Sequence, residues 1–212
     1  MIWQTYLLVL GSVVVAQLSP GPNLGAVAST GLAEGRARSL MVVLGVSSGM
    51  LVWSAATALG LGTVLEIAPY TLTVLKFLGG AYLLWMGWGA LKATLRGAGS
   101  MISGQGHDLT LPRAWRRGFL VVLTNPKAGL MWAALATFLF GAGLSPLQVM
   151  VFGPVGALTG LIIYGGYAIL FSSNIAMRGY SRFGRLFEGV FAAAFGLLGG
   201  KLIWDAMREI RA

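Results

Sequence analysis

The chain is 212 residues long, 57% hydrophobic and only 10% charged, with a mean hydropathy of +0.80. Soluble domains carry roughly 25% charged residues, so this composition excludes a soluble domain and reads as an integral membrane protein. The net charge of +9 lies in short clusters between apolar stretches, which excludes a basic nucleic-acid-binding domain. The lack of cysteine excludes disulfides and any thiolate metal ligand or nucleophile.

No charged side chain occurs from Met1 to Ala33, from Ser39 to Leu65 or from Ala128 to Met177. Each stretch exceeds the ~20 apolar residues that cross a hydrocarbon core. The first has no basic n-region and its apolar run does not stop, so it reads as a span rather than a signal peptide. Six spans are the economical reading: Ile2–Leu32, Ser39–Leu65, Tyr70–Leu91, Ala114–Phe140, Ser145–Phe171 and Leu186–Met207. The turn between the fourth and fifth comes from Gly141-Ala142-Gly143-Leu144-Ser145-Pro146. The last span depends on Lys201 snorkelling or pairing with Asp205 one turn on, so five spans are the alternative.

The first, third and fifth connections carry Arg36 and Arg38, then Lys92, Arg96, Arg113, Arg116 and Arg117, then Arg178, Arg182 and Arg185. The positive-inside bias puts these connections in the cytoplasm and both termini outside, in a multi-pass protein of the cytoplasmic (inner) membrane. Residues 97–112, rich in glycine and serine, read as a flexible cytoplasmic linker between halves 1–96 and 113–212. His107 in this linker, beside Asp108, reads as solvated. Three spans per half force opposite orientations. The predicted fold is therefore an all-α membrane domain of two inverted three-helix repeats, its first and fourth helices broken at proline.

Those breaks are Ser19-Pro20-Gly21-Pro22-Asn23 and Asn125-Pro126-Lys127-Ala128. Proline removes the backbone donor to the carbonyl four residues back, which orphans the carbonyls of Ala16, Leu18 and Val122. Broken backbone at membrane depth survives only against protein or a water-filled cavity. Counting from Glu34 and Arg117 at ~1.5 Å per residue, the breaks lie about 18 and 14 Å in from one face, near the midplane. Pro20, Pro22 and Pro126 can each restart a helix. The restarted N-termini then aim partial positive charge into one space, and Lys127 adds a full charge. That suits a zwitterion: the helix N-termini and Lys127 hold a carboxylate, while the freed carbonyls with Asn23 or Asn125 receive an ammonium. The candidate binding residues are Pro20, Gly21, Pro22, Asn23, Asn125, Pro126 and Lys127. Gln17, Ser19, Ser47, Trp53, Ser54, Thr57 and Tyr164 are candidate cavity-lining residues, with Thr159 and Tyr167 free to line or to pack. Gly45-x-x-x-Gly49, Gly156-x-x-x-Gly160 and Gly196-x-x-x-Gly200 permit close helix approach. No cofactor or metal is expected, since Cys is absent and His and carboxylates do not cluster.

These residues carry a resemblance. Ser19-Pro20-Gly21-Pro22-Asn23 resembles the signature of the LysE/RhtB family of amino-acid exporters. Gly35-Arg36-Ala37-Arg38, Gly45-x-x-x-Gly49, Lys76-Phe77-Leu78-Gly79-Gly80-Ala81-Tyr82-Leu83-Leu84-Trp85-Met86-Gly87, Arg117-Gly118-Phe119 and Asn125-Pro126-Lys127-Ala128 follow in that family's order. The resemblance implies a six-span exporter of amino acids or close derivatives, driven by the proton-motive force and often dimeric, with roles for Pro20, Gly21, Pro22, Asn23, Asn125, Pro126 and Lys127. Many relatives carry an acid just after Gly49, where this chain has Met50. No buried carboxylate is then available for proton coupling, which leaves a facilitator or coupling through Lys127 itself open, and the absence favours neutral cargo over lysine or arginine.

Two other classes compete. An intramembrane hydrolase could use Ser19 with Lys127 as its base, although Ser19 precedes a proline and lacks an oxyanion partner. A membrane scaffold explains the glycines but not two midplane breaks beside a charge. The expected function is thus secondary export of small, neutral amino acids by alternating access, with amino acid and lipid as partners and not an enzyme.

Overall fold

The computed structural model describes residues 2–19, 21–61, 68, 70–96, 108–172 and 174–211. Most of the linker, including His107, lies outside them, as does Pro20. Every regular element among the described residues is helical: α1 (Ile2–Leu18), α2 (Pro22–Glu34), α3 (Arg36–Ala56), α4 (Thr71–Arg96), α5 (Leu111–Thr124), α6 (Pro126–Gly141), α7 (Pro146–Leu170) and α8 (Asn174–Arg211). A π-helical turn, Thr57–Leu61, continues α3.

Proline and glycine set most boundaries. Pro22, Pro112, Pro126 and Pro146 each stand in the first turn of a helix, where the missing N–H costs nothing. Gly35 separates α2 from α3 at φ 82, a left-handed backbone that glycine adopts without strain. Ser145 opens α7 with a capping box to Gln148. The fifth connection differs from expectation: α8 begins at Asn174, so the segment holding Arg178, Arg182 and Arg185 is helical.

Two helices are long and apolar enough to cross a membrane, Arg36–Gly60 and Pro146–Leu170. Two bent pairs pass the same test when each is counted as one span: α1 with α2, bent by 44°, and α5 with α6, bent by 61°. That gives two to four candidate spans among the described residues.

Glycine decides which helices touch backbone to backbone. A Cβ on Gly45 of α3 would fall inside Trp115 O of α5, and one on Gly118 of α5 would fall inside Val42 O of α3. Gly80 of α4 and Gly199 of α8 meet in the same reciprocal way, a Cβ on Gly199 lying 2.7 Å from Gly80 O. The α4–α8, α3–α5 and α3–α7 pairs make the most extensive contacts, so α3 stands at the centre. Near the start of α4, Lys76 is buried in an ion pair with Glu209 of α8, which also accepts from Thr73 Oγ1. Lys201 pairs with Asp205 at 2.6 Å, one turn on, as its spacing predicts.

Candidate functional site at the two helix breaks

Both breaks open on one cavity of about 50 Å³. At ~10–15 Å³ per water, that is room for a few waters. Gln17, Ser19, Gly21, Pro22 and Asn23 line it from the first break, Asn125 and Lys127 from the second, and Tyr164 from α7. The remaining wall includes Val13, Leu24, Met50, Met131, Trp132 and Leu135. One end is therefore polar and cationic, and the rest is apolar.

Local chemistry fixes the polar end. Asn125 has extended backbone and caps α6, its Oδ1 accepting from Lys127 N at 3.0 Å. Its Nδ2 donates to Asn23 Oδ1 at 3.2 Å, a buried bond between residues of the two breaks. Asn23 and Tyr164 both line the cavity beside this bond. Lys127 Nζ donates to Ser19 Oγ at 3.2 Å and lies against Gly21, where an added Cβ would sit 3.3 Å away. Gly21 is the N-cap of α2, and no side chain caps that helix. Lys127, itself in the first turn of α6, thus reaches across to the start of α2. Both helix ends carry partial positive charge. Two like ends and a cation converge, an arrangement that an anion relieves.

The other expected residues are placed elsewhere. Pro126 begins α6, although its side chain is not among the described ones. Ser47, Trp53, Ser54 and Thr57 are not among the lining residues. Ser47 and Thr57 are buried, Ser54 donates to Met150 O of α7 at 3.2 Å, and Trp53 Nε1 donates to Val122 O at 3.0 Å. Tyr167 likewise donates to Leu18 O at 3.1 Å. Two of the three carbonyls expected to be orphaned therefore already accept from protein. Thr159 turns back on its own helix, bonding Gly156 O at 2.9 Å.

Sequence reasoning missed the apolar wall from α6, Met131 and Trp132 above all. α6 is apolar on every side, so no periodicity marks the face that looks inward. Met50 was singled out only as a departure from the family pattern. It sits in the cavity wall beside Gln17, whose Nε2 lies 3.7 Å from Met50 Sδ and donates to Gly156 O at 2.9 Å.

A family model of LysE type translocators matches residues 14–206. The chain belongs to the LysE-type translocator family. Among its relatives, the threonine efflux protein of Salmonella typhimurium is 29% identical over 191 residues, 90% of this chain and 93% of the relative. The threonine efflux protein of Escherichia coli K12 is 28% identical over 193 residues, with the same two shares, 90% and 93%. The leucine efflux protein of Klebsiella pneumoniae is 33% identical over 131 residues, 61% of this chain and 60% of the relative. No solved structure matches. This translocator is a multi-pass membrane protein and a transporter, not an enzyme. The Ser19–Lys127 hydrogen bond, which a hydrolase would also need, lies in the cavity at the two breaks of a transporter.

Proposed function

We infer that this translocator exports small neutral amino acids, binding them at the junction of the two broken helices. The observation that carries this reading is the position of Lys127 Nζ, against the N-cap of α2 and carried by the first turn of α6. The cargo carboxylate sits there, on Lys127 and the uncapped first turn of α2. The ammonium rests on the side-chain oxygens of Asn23 and Asn125, each of which keeps a second lone pair. Leu18 O and Val122 O play a smaller part than their orphaning predicts, because Tyr167 and Trp53 reach them first. The cargo side chain lies toward Met50, Met131 and Trp132. No carboxylate stands among the described lining residues, which favours neutral over cationic side chains. The efflux of threonine and leucine by relatives supports the same cargo class.

Six spans follow if each bent pair counts as one and α3, α4, α7 and α8 supply the others. The two three-span halves are then inverted repeats that rock by alternating access, driven by the proton-motive force, with both termini outside. Counterflow of labelled threonine and leucine in proteoliposomes tests the reading. Wild-type protein should exchange both, and Asn23→Ala should exchange neither well. Unchanged counterflow in Asn23→Ala together with Lys127→Ala refutes the site, and a cytoplasmic signal from a reporter fused after Ala212 refutes the topology.

A further inference from the structure

Three prolines in the described helices free a carbonyl four residues earlier: Pro22 frees Leu18 O, Pro126 frees Val122 O and Pro154, inside α7, frees Met150 O. Each of these carbonyls accepts from a side chain on another helix. Tyr167 Oη of α7 reaches Leu18 O at 3.1 Å, Trp53 Nε1 of α3 reaches Val122 O at 3.0 Å and Ser54 Oγ of α3 reaches Met150 O at 3.2 Å. The first two are crosswise. The break in the first half is capped from the seventh helix, and the break in the second half from the third. The packing is built around these donors: a Cβ on Gly129 would sit 2.7 Å from the Trp53 ring, and one on Gly153 would sit 2.5 Å from Ser54 Cβ.

We propose that Tyr167, Trp53 and Ser54 are positioning residues that latch the proline-broken helices, and that releasing a latch changes which side of the membrane the cavity faces. A buried carbonyl stripped of its donor costs free energy only in the conformation that buries it. These bonds are part-buried, so losing the donor shifts the population away from this conformation toward the lower end of the roughly 5- to 150-fold that a fully buried carbonyl gives. A ligand or mutation can move the equilibrium only by such a difference between states. Bending at a break carries its freed carbonyl with it, so each latch senses the bend of the opposite half.

The chain lacks cysteine, so one introduced thiol reports without background. Ala128→Cys places it on the cavity wall. The rate of its reaction with a membrane-impermeant maleimide is measured in right-side-out and inside-out vesicles, alone and with Tyr167→Phe, Trp53→Phe or Ser54→Ala. Tyr167→Phe removes one oxygen and keeps the ring. The expected result is a reciprocal change of about fivefold or more, faster from one side and slower from the other. Rates unchanged from both sides, or raised from both as loosening alone would give, overturn the proposal. If one variant does not fold, the other two decide. The measurement needs no cargo, so it stands or falls apart from the amino-acid reading, on which only the transport role of the latches rests.

Discussion

Replacing Lys127 by methionine removes one positive charge and keeps most of the side-chain length. The apolar stem still covers Gly21, so packing against the start of α2 is largely retained. What disappears is the donor to Ser19 Oγ and the cation facing the uncapped α2 N-terminus. A hydrogen bond to a charged group contributes about 1.5–3 kcal/mol. At 1.4 kcal/mol per tenfold, losing the cargo carboxylate's bond to Lys127 should weaken apparent affinity by roughly 10- to 150-fold. The assay is counterflow in proteoliposomes, with initial rates over a range of amino-acid concentrations. Lys127→Arg should recover only part of the loss, because its planar fork is bulkier and Nζ already lies close to Gly21. An unchanged half-saturating concentration at full rate in Lys127→Met would refute the placement of the carboxylate.

Three further outcomes are expected. Ser19→Ala removes one acceptor of the Lys127 ammonium, a bond of about 1.5–3 kcal/mol, so counterflow should fall but stay measurable, whereas a hydrolase would lose all turnover. Gly118→Leu should prevent α5 from seating on α3, and its melting temperature in detergent should fall by several degrees or folding should fail, overpacking costing about 1–3 kcal/mol or more. A melting temperature equal to wild type would contradict that crossing. Glu209→Gln strands Lys76, which is only 7% exposed. The loss should fall below the ~3–5 kcal/mol of a fully buried pair, because the Glu209 side chain is 42% exposed. Chemical-denaturation midpoints read it, and no change would show that water already serves Lys76.

The sequence made the breaks at Pro22 and Pro126 legible because proline's missing donor is a local fact that no packing restores. The Asn125 cap went unread, although an Asn directly before a proline-started helix is a favoured N-cap. The reach of Lys127 to Ser19 followed from both breaks standing at similar depth. The latches were not readable. Tyr167 meets Leu18 across 149 positions and Trp53 meets Val122 across 69, and nothing in either residue type announces its partner. In the second predicted span, the spacing of Ser47, Ser54 and Thr57 puts them on much of one helical face. Spacing does not say which neighbour that face meets, and for Ser54 it is Pro154's helix, not the cavity. Loop chemistry misjudged the start of α8, since arginines that mark a cytoplasmic surface are also good helix formers.

The glycine contact between α3 and α5 has a mechanical consequence. At Gly45 and Gly118 backbone rests on backbone, so no side chain cushions the two helices at that crossing. A rotamer change cannot ease them apart, so the pair behaves as a strut that tilts as one piece. The strut ends at Asn125, where α6 leaves at 61°. Flexing is thereby confined to the joint, and the joint carries Lys127 on its far side. A swing of α6 about the strut would sweep the lysine's ammonium through the cavity, so the group proposed to hold the cargo carboxylate would travel with that helix.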